Sequence, residues 1–120
     1  MDDNKRKALT DAGINLDTAM QRFFDDEEMF FSFLNKFLDD DLLEKLGHFI
    51  DEGNVKDAFD VAHTMKGVCA NLSIDAINAV VNPMVDVLRK GSLEGLKEDY
   101  VKLKNVYAVV SKAIVENCQA

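Results

Sequence analysis

From Leu93 to Ile114 the apolar residues Leu93, Leu96, Tyr100, Leu103, Tyr107, Val110 and Ile114 are spaced alternately by three and by four. A seam of that period stays on one side of a helix, and a long helix with a single apolar stripe needs other helices to cover it. The rest of the chain keeps the same period. Phe30, Phe33, Leu34 and Phe37 form one stripe, continued by Leu42, Leu43, Leu46, Phe49 and Ile50. Ile77, Val80, Val81, Met84, Val85 and Leu88 form another. No strand-like alternation stands out and there is a single proline, so the expected class is all-α.

Local signals divide the chain. Asn15 or Asp17 can cap a short helix ending near Phe24, with Ala19, Met20 and Phe23 inward. Asp25 and Asp26 make the next cap, and Glu27 and Glu28 suit the positive end of a helix dipole. This second helix is predicted to run from Glu27 to Asp51. Its stripe swings round at Asp39–Asp41, which predicts a bend. Gly53 then stops the helix and Asn54 caps the third, over Val55–Leu72. The fourth runs from Ser73–Asp75 to Lys90, and Pro83 inside it removes the bond to the Ala79 carbonyl, predicting a kink. Arg89-Lys90-Gly91 is a stop, after which Ser92 caps the last helix. Long amphipathic helices with short links predict an antiparallel four-helix bundle, with a short additional N-terminal helix over one end. Residues 1–12, polar with a basic cluster at Lys5–Lys7, are expected to be a flexible arm, leaving 13–120 as one bundle domain. A chain of 120 residues suits one core.

One helix carries chemistry. In Asp60–Ser73 the apolar face is Ala62, Met65, Cys69 and Leu72, and His63 lies roughly 140° from its centre, pointing outward. Lys66 and Gly67 are its i+3 and i+4 neighbours. Lys66 can balance negative charge placed on the ring. A glycine inside a helix costs about 1 kcal/mol relative to alanine. Its use here would be to remove the side chain beside the imidazole, and Ala70 keeps the same lane low. The arrangement is an exposed, charge-supported nucleophile that another molecule can approach closely, and a neutral imidazole nitrogen can attack near pH 7. His48 lacks such neighbours and is expected to be an ordinary surface histidine.

The segment AHTMKGVCANLS resembles the H-x-(L/M)-K-G-x-x-x-x-L-G signature of histidine-containing phosphotransfer (HPt) domains. The upstream GINLDTAMQRFFDDEEMFFSFLNKFLDD resembles the opening of bacterial members. Departures are Ser73 and Asp25, where the family has or often has glycine, and Val68, where a smaller residue is usual. The resemblance implies a helical bundle and reversible phosphoryl exchange between His63 and the aspartate of a response-regulator receiver domain, in a two-component phosphorelay. Lys66 and Gly67 would complete the site. The receiver would supply an acidic pocket and Mg²⁺, with no cofactor on this chain, and a hybrid sensor histidine kinase would stand upstream. Since no phosphate loop or nucleotide site is visible, a carrier is expected and not an ATP-dependent kinase. The alternative is a non-phosphorylated helical module that sequesters a receiver domain through the same face.

Candidate docking residues surround this site: Lys56 and Phe59, one or two turns before His63, and Ala70 and Asn71 after it. Six of eight phenylalanines fall between positions 23 and 37. Most belong in a core, but Phe24 and Phe31 are candidates for an exposed docking patch. A net charge of −8 argues against a nucleic-acid surface. No apolar run has transmembrane length, and the N-terminal residues lack the apolar run of a signal peptide. Cys69 and Cys118 make no disulfide framework, so a reduced cytoplasmic setting is expected. A metal site is not expected, because no second histidine follows His63 at helical spacing. The expected oligomeric state is a monomer.

Overall fold

Among residues 1–119, which the computed structural model of the chain describes, there are seven α-helices and no strand. They are α1 (Asp3–Asp11), α2 (Leu16–Arg22), α3 (Glu27–Leu38), α4 (Leu42–Asp51), α5 (Val55–Asn71), α6 (Asp75–Arg89) and α7 (Leu96–Asn117). Three start at the side-chain caps read from the sequence. The Asn15 side chain accepts from Thr18 N–H at 3.2 Å, Asp26 from Met29 N–H at 3.0 Å, and Asn54 from Asp57 N–H at 3.1 Å. Each answers one of the amide groups that a helix start leaves unpaired.

The helices form a ring. α5 packs between α4 and α6, and α7 closes the ring against α6 on one side and α3 and α4 on the other. The links of α4 to α5 and of α5 to α6 are a few residues long, which makes these neighbours antiparallel. The result is a four-helix bundle whose first rod is α3 followed by α4. Its centre is filled by Phe30, Leu34, Leu46, Met65, Ile77, Met84, Leu103 and Ile114.

Four expectations are corrected. Residues 1–12 are not an arm: they hold α1, capped by Asp2, and α1 packs along α7 with Leu9 and Ala12 buried. The bundle thus carries two short N-terminal helices instead of one. Its interface is too sparse in apolar residues to show as a stripe. The bend at Asp39–Asp41 is a full break between α3 and α4. Tyr107 of α7 donates its hydroxyl to the Phe37 carbonyl (3.4 Å), and Tyr100 donates to the Leu43 carbonyl (2.8 Å). Asp40 accepts from the N–H of Leu42, the first residue of α4 (3.2 Å). Finally, α7 begins at Leu96, not at Ser92. The Ser92 hydroxyl accepts from Glu94 N–H in a turn that ends at Gly95, with φ +74°. α6 runs through Pro83, which is exposed.

At one end of the bundle the α1–α2 link meets the α5–α6 link. Asn15 N–H donates to the Ser73 carbonyl (2.8 Å), and Ala76 N–H donates to the Gly13 carbonyl (3.1 Å). Gly13 is needed there: its φ is +102°, and a Cβ would overlap the methyl of Ala76. The last turn of α5 is thereby held from outside the helix.

Candidate functional site

Helix α5 buries Ala58, Ala62, Met65 and Cys69 and leaves Lys56, His63, Gly67 and Ala70 exposed along the opposite side. Burial pushes the Cys69 thiol up to about 12, so it is a packing group and no nucleophile. His63 sits near the middle of the helix. The Thr64 hydroxyl donates to the Asp60 carbonyl (2.9 Å), and the Asn78 amide donates to the Lys66 carbonyl (3.2 Å). Neither reaches the imidazole, which has no hydrogen-bonding partner among the described residues. The Phe59 ring lies beside it, with centroids 5.6 Å apart and planes tilted by 33°.

Gly67 is open. A Cβ built on it would find no atom of another element or side chain within 4 Å. This differs from Gly47, the mid-helix glycine of α4, where a Cβ would run into the Tyr100 ring. Lys66 is half-buried and takes part in none of the ion pairs among the described residues. His48, by contrast, is paired through Nε2 with Glu52 at 2.9 Å. Among the described residues no three His, Cys, Asp or Glu side chains are grouped so as to hold a metal ion.

The surroundings sort the docking candidates. Lys56, Ala70 and Asn71 are exposed on α5, and Phe59 is half-buried at its edge toward α6. Phe24 is 89% exposed, at the tip of the α2–α3 turn. Its neighbour Phe23 turns inward onto Phe30 and Phe33, which leaves Phe24 facing out. Phe31 does not join this surface. It lines a groove with Lys5, Asn117 and Cys118, beside α7. Phe33, two residues on and so on another side of α3, takes the place expected of Phe31: it is 43% exposed and lines a groove of about 530 Å³ with Val68 and Asn71 of α5 and with Leu72 just after it.

Arg22 was not foreseen. Its Nη1 donates to the carbonyls of Ala70 (2.6 Å) and Asn71 (3.1 Å) and to the Ser73 hydroxyl (3.2 Å). A cation at the C-terminal end of α5 answers carbonyls that the helix leaves unpaired. The only local hint was a basic residue at the end of a short helix.

The model of the Hpt domain family matches residues 20–113, most of the chain. The chain belongs to the Hpt domain family. Comparison with curated proteins and with solved structures gave no match. Hpt domains are phosphocarrier modules, not kinases; they serve phosphotransfer in phosphorelays and interact with response-regulator receiver domains. No helix among the described residues of this Hpt domain is long and apolar enough to cross a membrane. Its departures from the family pattern have a backbone consequence. Asp25 has φ +60° and Ser73 φ +56°, the left-handed region that glycine occupies without strain. At Ser73 the hydroxyl compensates, accepting from both Thr18 (2.9 Å) and Arg22.

Proposed function

We propose that this Hpt domain carries a phosphoryl group on His63 and exchanges it with the aspartate of a receiver domain, in a two-component phosphorelay fed by a hybrid sensor histidine kinase. The observation that carries the reading is the empty Cβ position of Gly67 one turn from an exposed imidazole. A mid-helix glycine has a helix-propensity cost, and here no packing requirement accounts for it.

The exchange is a displacement at phosphorus. The unprotonated imidazole nitrogen attacks the aspartyl phosphate. The new N–P bond forms as the P–O bond breaks, and the electron pair leaves on the carboxylate. The other ring nitrogen keeps its proton through the attack. The receiver contributes the acidic pocket and Mg²⁺. This chain contributes the nucleophile, the Lys66 ammonium for the phosphoryl oxygens, and a docking face. Lys56, Phe59, Ala70 and Asn71 border the nucleophile on that face, with Phe24 at its far end. The protein acts as a cytoplasmic monomer on this reading.

The test is incubation with a phosphorylated receiver, followed by intact mass and acid treatment. The wild type gains one acid-labile phosphoryl group, and His63→Gln folds but gains none. Label retained in that variant would refute the assignment. His48→Gln, which removes a histidine paired with Glu52, labels like the wild type.

A further inference from the structure

The imidazole of an exposed histidine on a helix has rotational freedom. On a helix χ1 keeps two common wells and the histidine χ2 is broadly two-fold, giving about four orientations. Only some of them present the attacking nitrogen to an incoming phosphorus. No hydrogen bond among the described residues selects one for His63. The Phe59 ring, one turn earlier on α5, lies beside it at 5.6 Å between centroids. Phe59 is in turn braced from α6: the Arg89 guanidinium carbon lies 5.8 Å from its ring centroid, and Arg89 Nη1 is held by Asp86 Oδ1 at 3.1 Å. A row of contacts thus runs from α6 through Arg89 and Phe59 to the nucleophile.

We infer that Phe59 is a positioning residue for phosphoryl exchange, its ring fixing the orientation of the His63 imidazole. The inference rests on the reading of His63 as the phosphoryl acceptor. Phe59 covers one flank of the imidazole and leaves the Gly67 side free, so the ring is held without being blocked. A docking residue would matter only to a donor with a protein surface. A positioning residue matters to every donor.

That difference defines the experiment. Phosphoramidate is a small donor with no docking surface: the N–P bond to His63 forms as the donor's own P–N bond breaks and ammonia leaves. Labelling of His63 is timed in the wild type, Phe59→Ala and Phe59→Tyr, and the χ1 scalar couplings of His63 are measured by NMR. Phe59→Ala is expected to slow labelling by about two- to fourfold, the factor by which releasing four orientations dilutes the productive ones, and to average the couplings. Phe59→Tyr restores both. Labelling of Phe59→Ala at the wild-type rate with unaveraged couplings overturns the inference. Should Phe59→Ala fail to fold, Phe59→Val, whose side chain ends short of the imidazole, is judged by the same two readings. A wild type that takes no label from phosphoramidate counts against His63 as acceptor, and the couplings still decide whether Phe59 fixes the ring.

Discussion

The two mid-helix glycines should respond in opposite senses to the same substitution. Gly67→Ala adds a methyl where nothing lies within 4 Å. It removes the entropic penalty of glycine in a helix, so stability should rise by up to about 1 kcal/mol. Gly47→Ala gains the same propensity, but its methyl would lie 2.5 Å from Cζ and 2.9 Å from Cε2 of Tyr100. The phenol cannot retreat freely, since it donates to the Leu43 carbonyl at 2.8 Å. Overpacking costs about 1–3 kcal/mol and the strained hydrogen bond about 1 more, so the net effect is a loss of about 1–3 kcal/mol. For a chain of 120 residues each 1 kcal/mol moves the melting temperature by roughly 4 °C. Circular dichroism melts and urea midpoints of the two variants, measured together, read the contrast. Phosphotransfer supplies the second axis. Gly67→Ala should keep most of the exchange with a receiver, because its methyl stops short of the imidazole. Gly67→Arg should melt normally and lose the exchange, the lane being filled. Destabilisation by Gly67→Ala would show that this side of α5 is packed and not open. Normal exchange by Gly67→Arg would refute access as the reason for the glycine.

Three further outcomes follow from other sites. Lys66→Ala should slow transfer or shorten the phosphohistidine lifetime by a few-fold and not abolish it, since a charge contact still open to solvent on one side contributes about 1 kcal/mol; unchanged kinetics would make the lysine incidental. Asp25→Gly should raise stability by about 1 kcal/mol by relieving a left-handed backbone, and Ser73→Gly should gain less, because it loses the contacts to Thr18 and Arg22; equal gains in urea midpoint would contradict this account. Burial holds the Asp40 carboxyl above the usual range, outweighing the opposing Leu42 N–H bond. A raised folded value favours the protonated fold, so that stability is present at low pH and lost as pH rises through the folded value. Asp40→Asn, which keeps an acceptor for Leu42 N–H, should therefore raise the melting temperature at pH 7, with the gain shrinking as pH falls through the raised folded value and gone below about pH 4; a gain independent of pH would refute it.

What the sequence disclosed was what neighbours in sequence decide. The caps Asn15, Asp26 and Asn54 bond within their own first turns, and the buried face of α5 follows from its own period. The outward His63 and open Gly67 were legible for the same reason. What stayed hidden depends on distant partners. The swing of the stripe at Asp39–Asp41 was visible, but the break is held by tyrosine hydroxyls 57 and 70 residues from the carbonyls they reach. α1 is sustained by its contact with α7, at the other end of the chain. Phe31 and Phe33 are equally apolar, and the roll of α3 within the bundle decides which of them faces α5. Arg22 finds its carbonyls 48 and 49 residues away. The starting point of α7 was misplaced because Ser92 is a good cap residue used in a turn.

The broken rod also sets an order of assembly. α4, α5 and α6 follow one another through short links, so their mutual contacts close small loops and cost little chain entropy. α3 cannot be aligned with α4 by a continuous backbone ladder. Its register comes from α7, through Tyr107 on the Phe37 carbonyl and Tyr100 on the Leu43 carbonyl. Those closures span most of the domain and are the entropically expensive ones. The hairpin of α5 and α6, with the nucleophile facing out, is therefore expected to complete its local contacts before the arrival of α7 brings the two halves of the first rod into line.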